Sequence, residues 1–269
     1  MRLKNILVHL DQGPHGPDRL RLAVGLARTH GARLTGLFGQ CGRAHLVGMV
    51  ASWPSPAYAA AAEASRAAFA QTAGDLPEAV WRDANRGSAT EVLRVVAQTA
   101  RAFDLTILGQ DTEDSPAPDG LAEHVLMESG RPCLILPYAG RAETVGRRPL
   151  IAWNHSREAA RALNDALPLM QGCEEAVVVG MAGDDAEAER LAAADCLTHL
   201  AAHGIPARSE VLAVDQIGVM DMLLNRVVDD GADLLVMGGH GHTGLAFRTR
   251  QGGTRHILAH MTVPVLMSH

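Results

Sequence analysis

The residues best suited to chemistry lie in the last stretch of the sequence, Asp233–His269, which reads DLLVMGGHGHTGLAFRTRQGGTRHILAHMTVPVLMSH. Glycines stand at Gly238, Gly239, Gly241 and Gly244, and arginines at Arg248 and Arg250. Gly252-Gly253-Thr254 then opens a run of helical pattern, Arg255–His260, and no acidic residue follows Asp233. Glycines let backbone N–H groups approach an anion, and a helix start leaves N–H groups unpaired beside partial positive charge. The spacing therefore predicts a phosphate site on the backbone of Gly238, Gly241, Gly252, Gly253 and Thr254, with the Thr254 hydroxyl as a further donor. Arg248, Arg250 or Arg255 would add charge-assisted contacts. Turns and helix caps alone would also use such glycines. The missing carboxylates and the added arginines favour the phosphate.

Other chemistries find less support. Gly239-His240-Gly241-His242-Thr243-Gly244 fits G-x-G-x-x-G, but a dinucleotide fingerprint needs a helix opening inside it and an acid about 20 residues on. No G-x-x-x-x-G-K-[ST] is present, which excludes a P-loop enzyme. His240, His242, His256 and His260 fall close together, and His256 and His260 would share a helix face. Zinc would need further converging ligands, and no acid or thiol stands near them in sequence, so no metal site is expected. Ser156 follows His155, yet adjacent residues at a strand-to-helix turn do not make a nucleophile and its base. Ser156 is expected to cap the helix that follows. Asp215 and Asp221 read as residues around a helix start. No paired carboxylates suggest general acid–base work, so no catalytic residue is assigned.

The elements that must position these residues alternate along the chain. In the first half the strands are Asn5–Leu10, Arg33–Phe38, Ala79–Arg86, Leu105–Gly109 and Cys133–Pro137. The helices are Asp18–His30, Pro56–Ala73, Ala89–Ala102 and Gly120–Ser129. The second half repeats the order, with strands Pro149–Trp153, Ala176–Met181, Ala207–Val214, Leu234–Met237 and Val263–Met267. Its helices are Ser156–Met170, Asp185–His203, Ile217–Asp230 and Gly253–His260. Alternation of this kind implies parallel sheets with helices on both faces. The phrases AFDLTILGQ, Ala102–Gln110, and GADLLVMGG, Gly231–Gly239, match, as do the ends Ser129–Tyr138 and His260–His269. Ala139–Arg148 looks like a linker, which gives domains at 1–140 and 148–269. In the first half, the loop GQDTEDSPAPDG at Gly109–Gly120 carries Asp111, Glu113, Asp114 and Asp119. It is expected as a solvated surface loop that would repel a triphosphate, with a Mg²⁺ site on these acids as the lesser reading.

Composition bounds the function. Hydrophobic residues make up 47% and aromatics 3%, so Ala, Val and Leu must fill the core. A net charge of -6 argues against a nucleic-acid binder held by bulk electrostatics. No apolar run approaches membrane-spanning length and no signal peptide is visible, so a cytoplasmic protein with no membrane partner is expected. Cys41, Cys133, Cys173 and Cys196 show neither C-x-x-C nor zinc spacing.

The duplicated pattern resembles the universal stress protein family in its tandem, two-domain form, over nearly the whole chain. That family's nucleotide motif is G-x2-G-x9-G-[ST] after the fourth strand. Gly238, His240 and Gly241 lie in its first part. Counted strictly, the next glycine position is Gln251; Gly252 comes one later, and Gly253-Thr254 supplies the Gly-Thr pair two later. Where the family carries an acid at the end of each first strand, this sequence has Asp11 and Asn154. The resemblance implies an α/β fold: two five-stranded parallel sheets, Rossmann-like, of order 3-2-1-4-5. The halves would form a pseudo-dimer, with Cys133–Pro137 beside Val263–Met267, and the chain would be a monomer or a weak dimer.

It further implies binding of ATP or a related adenine nucleotide, free or with Mg²⁺, in the second domain only. Asn154 would meet the ribose or base edge, and Met181 would line the adenine pocket. His240, Arg250, Gly252, Gly253 and Thr254 would gather at the phosphates. The expected role is a stress-response switch or sensor with little or no hydrolysis and an unidentified protein partner. The alternative is an interaction or scaffold protein without nucleotide, and a nucleotide-hydrolysing or metal-dependent enzyme is a third, weaker class.

Overall fold

The computed structural model describes residues 2–47, 50–140, 142, 144–182, 186–213, 218–239 and 252–269. The chain divides into two compact units, residues 2–138 and 139–269.

The first unit runs β1 (Asn5–Leu10), α1 (Gly16–His30), β2 (Arg33–Phe38), β3 (His45–Val47), β4 (Val50–Ser52), α2 (Pro56–Ala73), β5 (Ala79–Asp83), α3 (Ala89–Ala100), β6 (Leu105–Gly109), α4 (Leu121–Ser129) and β7 (Cys133–Leu136). Its sheet is parallel in the order β5-β2-β1-β6-β7. The short β3 and β4 form a separate antiparallel hairpin. The second unit runs β8 (Pro149–Ala152), α5 (Arg157–Ala166), β9 (Ala176–Ala182), α6 (Ala186–Ala202), β10 (Ala207–Ala213), α7 (Val219–Asp229), β11 (Leu234–Gly238), α8 (Gly253–His260) and β12 (Val265–Ser268). Its sheet is parallel in the order β10-β9-β8-β11-β12. Counting only the strands of each parallel sheet, both read 3-2-1-4-5, the order implied by the resemblance, in the α/β architecture expected from the alternating pattern.

Burial explains which strands were easiest to read. β1, β2, β6 and β7 bury nearly every residue, as strands covered on both faces must, and so appear as continuous apolar runs. The edge strands β5 and β10 are half-exposed and mixed in composition. Helix starts carry their own signals. Ser55, Ser88 and Ser156 accept the N–H groups of Tyr58, Glu91 and Ala159, which closes orphan donors of α2, α3 and α5. After α1, Gly31 takes the left-handed conformation (φ 61°) that ends a helix.

The matching phrases have a matching job. Asp104 Oδ2 accepts the N–H groups of Lys4 and Asn5 at 2.7 and 2.9 Å. Asp233 accepts those of Arg147 and Arg148 at 2.9 and 2.8 Å. In each unit, a carboxylate just before the fourth strand fastens the entry of the first. Two expectations need correction. The helix expected over Ser156–Met170 ends at Ala166, where turns carry the chain to Gly172. The β3–β4 hairpin was not anticipated, because three-residue strands are too short to show alternation. Among the described residues, no helix is long and apolar enough to cross a membrane.

Candidate functional site

In the second unit a cavity of about 240 Å³ opens at the carboxyl ends of the central strands. Trp153 and Asn154 follow β8, Val179 and Met181 come from β9, and Met237 and Gly238 end β11. The first turn of α7 brings Val219 and Met220, and the start of α8 brings Gly252, Gly253 and Thr254. β8 and β11 are the first and fourth strands of the unit. Their junction is the switch point where open parallel sheets hold ligands, because the chain leaves the two strands toward opposite faces.

Of the residues expected at the site, Asn154, Met181, Gly238, Gly252, Gly253 and Thr254 all line this cavity. His240, Gly241 and Arg250 lie outside the described residues, as does Arg248. Two of the glycines are required by geometry, Gly238 by close approach and Gly252 by its backbone angle. A Cβ on Gly238 would lie 2.6 Å from the Ala159 nitrogen and 2.7 Å from the Glu158 Cβ, so only glycine lets β11 end against the first turn of α5. Gly252 sits at φ 74° and begins α8 without a side-chain cap, a conformation other residues rarely adopt. Gly238→Ala should therefore destabilise the second unit by about 1–3 kcal/mol, as overpacking against fixed backbone does. Urea unfolding followed by Trp153 fluorescence would measure it.

Around this cradle the walls are apolar and pliant: Met181, Met220 and Met237 offer thioethers that adapt to a flat or irregular ligand. Asn154 is held in one orientation. Its Oδ1 accepts the Ser156 hydroxyl at 2.7 Å and the Ser156 N–H at 3.2 Å, while Ser156 Oγ accepts from Ala159. Ser156 thus caps α5, as its position before the helix suggested. Sequence reading missed a link behind the cradle. Asp221 of α7 meets His256 Nε2 of α8 at 2.8 Å, across 35 residues, and ties together the two helices whose starts form one wall. His256 and His260 stack with ring centroids 4.4 Å apart. Among the described residues, no three His, Cys, Asp or Glu side chains are grouped to hold a metal ion.

The corresponding place in the first unit is built differently. β6 pairs Leu105 with Ile6, and β11 pairs Leu234 with Pro149. The matching phrases set Leu105 against Leu234, so Ile6 answers to Pro149, His9 to Ala152 and Asp11 to Asn154. Where the second unit has the methyl of Ala152, the first has the His9 imidazole, buried and donating from Nε2 to the Gly39 carbonyl at 2.6 Å. Arg19 reaches back from α1 to pair with Asp11 at 2.5 Å and to donate from Nε to the His9 carbonyl at 2.7 Å. A Cβ on Gly109, the counterpart of Gly238, would collide with the Arg19 guanidinium. The Arg19 and Asp11 side chains are only 5% and 4% exposed.

Burial drives the His9 imidazole down to about 4, against a partial upward pull from Asp11. Burial also raises the Asp11 carboxyl, but Arg19, His9 and the Gly13 N–H together hold it below the ordinary value. The first-half acids were expected to exclude phosphate. The structure adds a nearer obstacle, since the chain's own cation and imidazole occupy the crevice. No local pattern reveals this, because Arg19 reads as one more polar residue of an amphipathic helix.

The chain resembles known proteins in two ways. Residues 150–269 match the model of the Universal stress protein family. In fold, the chain is similar to a universal stress protein from Archaeoglobus fulgidus DSM 4304, with a TM-score of 0.72 and 16% identity over 98% of this chain and 95% of that one. It is similar to a putative universal stress protein from Pseudomonas aeruginosa UCBPP-PA14, with a TM-score of 0.64 and 17% identity over 99% of this chain and 93% of that one. A functionally unknown protein from Pseudomonas aeruginosa PAO1 gives a TM-score of 0.63 and 16% identity over 99% and 92%. Such identities speak to fold alone. Comparison with curated proteins gave no match.

Proposed function

We propose, from the premise that the second half of this chain, residues 150–269, belongs to the universal stress protein family, that the protein binds ATP or a related adenine nucleotide in its second unit only. It acts as a cytoplasmic switch or sensor in a stress response. The observation that carries this reading is the convergence of Asn154, Met181, Gly238, Gly252, Gly253 and Thr254 on one cavity at the switch point. Phosphates would rest on the glycine backbone and the opening of α8, and the base would lie among the methionines. Arg248, Arg250 and His240 belong to the acid-free segment between Gly239 and Gly252, where the two arginines would add positive charge.

No nucleophile–base pair or general base is assigned beside the cradle, so the nucleotide serves as a signal rather than a substrate. It would act by binding one of two conformations more tightly, and a protein partner would read the difference. Isothermal calorimetry on the full chain should give one nucleotide per chain. Gly252→Glu, which sets a carboxylate where phosphate would lie, should abolish it. Two sites, or none, would sink the proposal. Absence of binding would favour the second reading, an interaction protein without nucleotide, which the Gln251 register and the amide at Asn154 support.

A further inference from the structure

The two units fix one side chain by the same contact and differ in what it offers beyond that contact. At the end of β1, Asp11 Oδ1 accepts the N–H of Gly13 at 2.7 Å. At the end of β8, Asn154 Oδ1 accepts the N–H of Ser156 at 3.2 Å and the Ser156 hydroxyl at 2.7 Å. A backbone N–H can only donate, so the Asn154 atom facing it is the oxygen. One atom of each side chain is thereby held in the turn, and the other is left for the crevice. In Asp11 that atom is Oδ2, an acceptor, and the Arg19 guanidinium fills its place as donor. In Asn154 it is Nδ2, which has two protons to give and meets no acceptor among the described residues. The polarity at this point is reversed between the units. The first calls for a donor and supplies its own, whereas the second calls for an acceptor, and Asn154 lines an open cavity.

Strand order says which part of a nucleotide meets that donor. β8 lies between β9 and β11. β9 brings the apolar Val179 and Met181 to the cavity, while β11 ends at Gly238, which lines it together with Gly252 and Gly253. A nucleotide laid with its base against β9 and its phosphates on the glycines crosses the end of β8 with its sugar.

Resting on the nucleotide reading above, we infer that Asn154 is a specificity-determining residue that reads the sugar as a donor. The ligand class is a ribonucleotide with an oxygen at the contacted 2′ or 3′ position, whether or not that oxygen carries a proton. A hydroxyl can be satisfied from either side: a carboxylate accepts its proton, whereas the Asn154 amide donates to its lone pair. A carboxylate here would demand a free hydroxyl and would repel an oxygen that has only lone pairs to offer. The amide takes both, so an ether or ester oxygen on the ribose serves as well as a hydroxyl.

Calorimetry of the full chain with ADP, its 2′- and 3′-deoxy analogues and its 2′- and 3′-O-methyl analogues tests this. Removing the contacted oxygen should weaken wild-type binding by about threefold to tenfold, the worth of one hydrogen bond. Methylating that same oxygen should leave binding within about twofold of ADP. Asn154→Asp keeps an acceptor for Ser156 and so preserves the turn, and it should lose as much on methylation as on deoxygenation. Asn154→Ala, in which Ser156 Oγ still accepts from Ala159, should bind ADP and the deoxy analogue equally. The inference is overturned if neither deoxy analogue binds more weakly than ADP, or if methylation costs the wild type as much as deoxygenation. Either variant keeping the wild-type pattern overturns it too. In each of these results ADP itself still binds and the nucleotide reading stands, whereas wild-type protein that fails to bind ADP overturns both.

Discussion

Replacing Arg19 with alanine should destabilise the first unit by about 3–5 kcal/mol, the range for stripping one partner from a buried ion pair. The loss exceeds that of a surface bridge because the Asp11 carboxylate, 4% exposed, would keep, among the described residues, the Gly13 N–H at 2.7 Å and the His9 ring at 3.5 Å. The His9 carbonyl would lose its Arg19 donor as well. Urea unfolding reports the effect when Trp153 is changed to phenylalanine, since Trp53 and Trp81 then make the fluorescence belong to the first unit. Asp11→Asn in the Arg19→Ala background should recover a large part of the loss, because it removes the uncompensated charge. If Arg19→Ala unfolds at the wild-type midpoint, Arg19 does not hold the crevice.

Acid should weaken the same unit well above the range where ordinary carboxylates protonate. His9 sits at about 4 in the folded chain against 6.5 for an unperturbed imidazole. Between those values the unfolded chain binds a proton that the folded chain refuses, so stability falls as pH falls. Each tenfold drop in proton affinity on folding is worth about 1.4 kcal/mol, which makes the loss about 3 kcal/mol across the window. Below about 4 the folded imidazole also protonates, and this contribution stops growing. Asp11, held below its ordinary 3.8, then adds a further loss in the same direction as pH falls through its folded value. Urea midpoints taken from neutral pH down to about 4 should decline, and His9→Gln should flatten that decline. A wild-type midpoint that stays level across the window would show that His9 is not buried neutral.

Much of the fold was legible because duplication wrote it twice. The parallel sheets and the limits of α8 follow from apolar runs, glycine breaks and one repeated phrase, whereas the strand order was implied by the family resemblance. Ser156 announced its cap by standing before a helical run. The candidate cavity was legible in part for the same reason: Gly238, Gly252, Gly253 and Thr254 are local signals, and Asn154 marks the end of a first strand. What could not be read is what depends on distance in sequence. Arg19 meets Gly109 only after β1 and β6 have paired, and His256 meets Asp221 only after α7 and α8 have been brought side by side. Periodicity says which face of a helix is apolar, but not which polar side chain will turn inward to find a carboxylate. The limits of α5 were missed because Leu167–Met170 keeps an apolar pattern, although Pro168 within it lacks the N–H that a continuing helix would use.

The two aspartates before β6 and β11 carry one more consequence. Each grips the backbone just ahead of its own opening strand, and neither half borrows that grip from the other. Each half is therefore self-sufficient at the point where an isolated parallel sheet would begin to fray. That autonomy is the physical condition under which two copies of one domain can change at different rates, one keeping an open crevice and the other sealing it, while both keep their shape.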